Sequence, residues 1–189
     1  YKEAFEKTKK AGEIAAGALD EVAKIIKPGI QTDTIDKLCY EYIKGYGAYS
    51  APLFYRGFPK SCCTSTNHIV CHGIPSNKIL KEGDIVNVDV TAFKDGWHGD
   101  TSRTFEIGEV SIKAKKLVKT TYDAMMKAIK IVKEDIHLGD IGATIQHHVE
   151  AEGFSVVQDF CGHGIGKHFH EEPNVCLLYT SPSPRDATL

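Results

Sequence analysis

The chain has 189 residues, 42% of them hydrophobic, 25% charged and 9% aromatic, with 23 basic side chains against 25 acidic ones. That length favours a single domain, and a net charge of −2 gives no electrostatic footing for a nucleic-acid partner. No apolar run reaches the roughly 18 residues of a membrane span, the charged N-terminal stretch is unlike a secretory signal, and six cysteines are too few for a disulfide scaffold. A cytoplasmic protein with reduced thiols, and no membrane, is expected; Tyr1 in place of Met implies a processed or missing start.

Ala11, Ile14, Ala15, Ala18, Leu19, Val22, Ile25 and Ile26 recur at steps of three and four. This spacing predicts a long amphipathic helix, ended by Pro28-Gly29. Thr32 and Asp33 are the expected N-caps of a second helix, with Ile35, Leu38, Cys39, Tyr42 and Ile43 inward and Gly45 at its close. Residues 45–59 read as a loop with exposed aromatics, and residues 61–72 as short and β-rich. From 85 to 93 the text alternates strictly, with Val86, Val88, Val90 and Ala92 on one face and Asn87, Asp89 and Thr91 on the other. Asp95-Gly96 is a strong hairpin signal, so residues 97–107 return as the partner strand.

Helical spacing resumes with Leu117, Val118, Tyr122, Met125, Ala128, Ile129 and Val132. A further helix is expected from a cap near Asp140 through Ile141, Ile145 and Val149 to Gly153. These helices echo the first two at an offset of 106: Lys24-Ile25-Ile26-Lys27 meets Lys130-Ile131-Val132-Lys133, Ile35 meets Ile141, and Gly47 meets Gly153. A duplicated half-domain accounts for the phased set. Two unrelated amphipathic helix pairs would also produce some apolar matches. The second half has no expected counterpart of the 84–107 hairpin. From Cys176 onward a Ser-Pro-Ser-Pro tail without either period reads as non-native or disordered.

The chemistry gathers around the hairpin. A two-residue turn makes cross-strand partners sum to 191, so Thr91 faces Asp100 and Asp89 lies diagonally on the same face. The two carboxylates are then about 7–8 Å apart at the backbone, within joint reach of a small ion. Solvated surface acids would explain the pair equally well from geometry alone. Three histidines in Gly-rich turns shift the balance: His72 in Cys71-His-Gly-Ile-Pro75, His163 just past an expected strand, and His170 seven residues on. Clustered Asp and His donors with paired carboxylates point to a hydrolytic divalent-metal site, with two ions because carboxylates can bridge. His98, two residues before Asp100 on the same face, is expected to support that site from behind.

These stretches resemble the methionine aminopeptidase family, type I. The matching text is Phe58-Pro-Lys-Ser-Cys-Cys-Thr-Ser-Thr-Asn67, Val70-Cys-His-Gly-Ile-Pro75 and Gly83-Asp-Ile-Val-Asn-Val-Asp89. It continues with Asp95-Gly-Trp-His-Gly-Asp100 and Cys161-Gly-His-Gly-Ile-Gly-Lys-His-Phe-His-Glu-Glu-Pro173. The resemblance implies an α+β pita-bread fold of two pseudo-symmetric halves, the second incomplete. One catalytic domain would span 1–175, with half-domains near 1–108 and 109–175 and the tail at 176–189 outside it.

By the same resemblance, Asp89 would chelate one metal, Asp100 would bridge both, and His163 would bind the other. The two ions would be divalent, with Co, Mn, Fe and Zn not distinguishable. An activated water would attack the carbonyl after an N-terminal Met. His72 would contact the substrate near its scissile amide, and His170 would polarise the carbonyl and stabilise the oxyanion. Tyr55, Phe58, Cys63 and Phe169, with His72 and His170, would bind the substrate. Its class would be the N-terminal Met peptides of nascent proteins, with the ribosome as a candidate partner, and the protein is expected to be a monomer.

The family's two further ligands, both glutamates from strands of the second half, find no counterpart here. The chain as printed is therefore expected to be inactive. Competing readings are another pita-bread peptidase, of the aminopeptidase P or prolidase kind, and a binding module of this fold that has lost its metals.

Overall fold

A computed structural model describes residues 2–178 of the chain. The expected tail therefore lies outside the described residues from position 179 on. Contacts divide the chain into two units: residues up to Ser111 together with Ile165–Phe169, and Ile112–Gly164 together with the residues from His170.

The first unit opens with α1 (Lys2–Ile25) and α2 (Thr32–Gly45). Of the eight expected stripe positions, Ala11, Ile14, Ala15, Ala18, Leu19 and Val22 are buried, while Ile25 and Ile26 at the helix end are half-buried. In α2 the buried set is Thr32, Ile35, Cys39 and Ile43. The N-cap of α2 is Gln31 rather than Thr32 or Asp33, and Gln31 makes no side-chain cap bond. The Thr32 hydroxyl is engaged elsewhere, donating to the Ser76 carbonyl at 3.0 Å and accepting from the Ser76 amide at 2.9 Å. It thereby ties residues 76–80 along the α1–α2 connection, where Leu80 and Ile30 also pair through the backbone.

A four-stranded antiparallel sheet follows, made of β1 (Tyr49–Ser50), β2 (Cys63–Thr66), β3 (Ile85–Lys94) and β4 (Trp97–Glu106). Strand β3 pairs along its whole length with β4 on one edge, and with β1 and β2 on the other. The register places Thr91 opposite Asp100 and Asp89 opposite Ser102, the sum of 191 that the two-residue turn demands. Val86, Val88, Val90 and Ala92 are fully buried against α1, a face that stabilises by about 1.5–3 kcal/mol per valine-sized side chain. Helix and hairpin come into tight contact at Gly99, where a Cβ would run into the backbone of Ala11 and Gly12. Only glycine admits that crossing.

The second unit holds α3 (Ile112–Ile131), α4 (Leu138–Ala151), β5 (Gly162–Gly164) and β6 (Glu171–Val175). Its helix pair repeats the first in backbone detail. Helix α4 begins and ends 106 residues after α2, and the flanking residues Gln31 and His137 share φ, ψ of −83°, 143° and −82°, 144°. Asp140 is not the cap of α4 itself. It stands three residues inside and accepts from the His137 amide at 3.1 Å. Helix α3 buries Thr120, Ala124 and Ala128, whereas Tyr122, Met125, Ile129 and the following Val132 remain exposed. Residues 154–161 form no strand, and His163 sits at the centre of β5, opposite Asn174, instead of beyond a strand.

Candidate functional site

In the first unit the site is built on the polar face of the hairpin. Asp89 is half-buried, and its carboxyl is pushed up to about 7. Burial is the main cause, followed by the charge of Asp100 and a hydrogen bond between the two carboxyl groups. Thr91, 2% exposed, donates its hydroxyl to Asp100 Oδ1 at 2.7 Å and so fixes the second carboxylate. Among the described residues neither carboxylate forms an ion pair. Two adjacent acids that repel, one of them withdrawn from water, suit a divalent cation, whose charge would relieve both penalties.

Cys63 lies directly opposite Asp89 across β2 and β3. Its thiol is pushed up to about 12 by burial and by Asp89 and Asp100. A buried, protonated sulfur is an apolar wall rather than a nucleophile. The Cys71 thiol is also raised, by burial and Asp89, which puts it in the same neighbourhood. In the sequence Cys71 is marked only as the flank of His72, with no role of its own.

Strand β2 is held from behind by Asp36 of α2, a residue the helical pattern marks only as a polar position. Its Oδ1 accepts from the Ser61 amide at 2.7 Å, the Ser61 hydroxyl at 2.7 Å and the Cys62 amide at 3.2 Å. Lys60 pairs with Asp33 beside it at 2.7 Å. In front, Thr64 donates to the Gly73 carbonyl at 2.7 Å, and a Cβ at Gly73 would strike the backbone of Thr64 and Ser65. This close seat presents the neighbouring His72, exposed and at φ 55°, on the same stretch of β2.

The aromatic residues also converge. Tyr55 begins a short 3₁₀ turn (Tyr55–Gly57), flanked by Phe54 at φ 67°. Its ring centroid lies 5.0 Å from that of Phe169, and Phe58 follows the turn, half-buried. In the second unit the His163 and His170 rings are 4.3 Å apart. His163 Nδ1 lies 2.8 Å from the Gly164 carbonyl. A carbonyl can only accept, so Nδ1 is the donor, and it is Nε2 that the neutral ring would offer to a metal. Asp89 and Asp100 thus stand together in one unit, and His163 and His170 in the other. Among the described residues no three His, Cys, Asp or Glu side chains stand close enough together to hold an ion.

A metallopeptidase is the class of protein to which the paired carboxylates of the hairpin point. The chain belongs to metallopeptidase family M24, whose model matches residues 6–188, and its fold is the pita-bread fold of that family. It is 52% identical over 171 residues to the methionine aminopeptidase of Rickettsia prowazekii, covering 90% of this chain and 66% of that protein. With the methionine aminopeptidase of Escherichia coli K12 it shares 51% identity over 181 residues, 95% of this chain and 68% of the relative. The crystal structure of the Rickettsia prowazekii enzyme superposes with a TM-score of 0.96 at 48% identity, over all of this chain and 75% of that one. The chain therefore spans about two thirds of the length of the curated relatives it matches. No helix among the described residues is long and apolar enough to cross a membrane.

Proposed function

We propose that the activity is metal-dependent removal of an N-terminal methionine. The observation that carries it is the Asp89–Asp100 pair, two carboxyl groups in mutual contact on a strand face, one of them half-buried and raised to about 7. High identity to methionine aminopeptidases over nine-tenths of the chain supports the substrate class.

In this reading Asp89, Asp100 and His163 would hold the divalent ions. Bound divalent ions would supply Lewis-acid polarisation and a water acidified to near neutral pH. His72 meets the substrate close to the scissile amide. His170 donates to the peptide carbonyl and supports the developing oxyanion. Tyr55, Phe58, Cys63 and Phe169 receive the methionine side chain, whose thioether suits aromatic edges and a protonated thiol. Nascent polypeptides at the ribosome are the natural source of such termini, acted on by a monomer in the cytoplasm.

We infer further that these 189 residues alone turn over little, because a divalent ion held by so few close donors binds weakly. The test compares the chain with a chimera continued beyond Val175 by the remaining third of the Rickettsia relative. With Mn, Fe, Co or Zn supplied in turn, the chimera should release free methionine from a Met-Gly peptide, and the chain alone should not. Failure of the chimera with every metal would sink the peptidase reading. Brisk turnover by the chain alone would instead remove the requirement for further ligands.

A further inference from the structure

The five residues Ile165–Phe169 pack with the first unit although their chain neighbours on both sides belong to the second. What holds them is concentrated at one residue of β4. The Gly166 carbonyl accepts from the His98 amide at 2.8 Å and lies 3.0 Å from His98 Nδ1. As the carbonyl only accepts, Nδ1 carries the proton and the same oxygen takes two hydrogen bonds. The His98 ring also packs against two aromatic rings. Phe93, its cross-strand partner, is 4.6 Å away at 44°, and Phe169 is 5.7 Å away and nearly parallel at 10°. The Phe169 ring continues to Tyr55 at 5.0 Å. Next to this stack, the Lys167 ammonium lies 5.7 Å from the centre of the Trp97 ring.

We propose that His98 is a positioning residue: it clamps Ile165–Phe169 onto β4 and thereby fixes Phe169 as a wall of the methionine side-chain pocket. The substrate part of this proposal rests on the peptidase reading; the clamp does not. The two duties explain the residue type. Asparagine would keep a side-chain donor without the ring, phenylalanine would keep the ring without the donor, and alanine would keep neither. Histidine supplies both from one side chain, on the same face of β4 as Asp100. A flat ring stacked on Phe169 also restricts that ring's rotation, so the pocket wall is set before a ligand arrives.

The test uses the 189-residue chain with Mn²⁺ and free L-methionine as the probe, beside L-alanine, which has no side chain long enough to reach Phe169. His98→Ala should speed hydrogen exchange across residues 165–169 more than tenfold while leaving the β3–β4 ladder near Ile85 protected. The chain's single tryptophan, Trp97, should lose its Lys167 neighbour and become easier to quench with acrylamide. Affinity for L-methionine should fall about tenfold, the loss of one aromatic contact and one hydrogen bond, while affinity for L-alanine should hold. His98→Phe and His98→Asn should each recover part of the protection. Unchanged exchange and quenching in His98→Ala would overturn the clamp, whatever happens to binding. A released segment with undiminished methionine affinity, or an equal loss for both amino acids, would overturn the link to the pocket. If the unaltered chain binds no L-methionine, the binding comparison moves to the chimera continued beyond Val175, where absence of binding would overturn the pocket; exchange decides the clamp in either case.

Discussion

Asp89 ties the chemistry of the site to the stability of the fold. Its carboxyl is raised from 3.8 to about 7 in the folded chain, chiefly by burial and then by Asp100. Between those values the folded state holds a proton that the unfolded chain has released. The stability this group contributes is thus fully present below about pH 4 and is lost as pH rises through 7. Each unit of pH in that window is worth up to about 1.4 kcal/mol, an upper bound because Asp100 titrates in concert. In EDTA, the unfolding midpoint of the chain relative to Asp89→Asn should therefore decline from pH 5 to pH 7.5. A divalent ion competes with the same proton, so the added stability from Mn²⁺ should grow over this range and vanish in Asp89→Asn. Denaturant titrations at paired pH values, with and without metal, measure both slopes. A metal effect independent of pH would show that the ion does not displace the Asp89 proton.

At the scale of elements, the two helix pairs offer an internal control. Leu19 of α1 and Met125 of α3 occupy equivalent places 106 residues apart, yet Leu19 is 1% exposed against the hairpin and Met125 is 46% exposed. Truncating a buried leucine leaves a cavity, whereas truncating a half-exposed methionine leaves little. Leu19→Ala should lower the unfolding free energy by about 3 kcal/mol, and Met125→Ala by less than about 1 kcal/mol. Equal losses would mean that the Met125 face is covered in solution. The hairpin was legible in the sequence because a two-residue Asp95-Gly96 turn admits one register, and that register alone puts Asp89 diagonal to Asp100. The α2 cap was not legible. Thr32 has the right chemistry, but its hydroxyl is engaged by Ser76, a partner 44 positions away that no local pattern reveals. The strand around His163 escaped for a related reason: three residues, two of them glycine, show neither period. Nor could spacing show that Ile165–Phe169 joins the first unit, since that depends on one carbonyl meeting His98.

Over the whole molecule, α3 of the second unit leaves open an apolar stripe that the equivalent positions of α1 in the first do not present. Tyr122, Met125, Ile129 and Val132 follow one another at helical steps of three and four, and all are exposed, by 58%, 46%, 56% and 52%. Their counterparts 106 residues earlier include Ala16 and Ala23, so large apolar groups stand at places where the first helix carries methyls. With a net charge of only −2, little repulsion discourages apolar ligands or surfaces from settling there. A contiguous stripe of this kind binds amphiphilic dyes, and the chain should accordingly enhance the fluorescence of anilinonaphthalene sulfonate while fully folded. Tyr122→Lys with Ile129→Glu should cut that enhancement by more than half. Because both side chains are already exposed, the unfolding free energy should stay within about 0.5 kcal/mol of the unaltered chain. The pair of measurements separates two origins of dye binding. Loss of the signal at constant stability assigns it to the α3 stripe, whereas a signal that survives the double substitution would place it on other exposed apolar residues, such as Val70, Ile74 and Ile79.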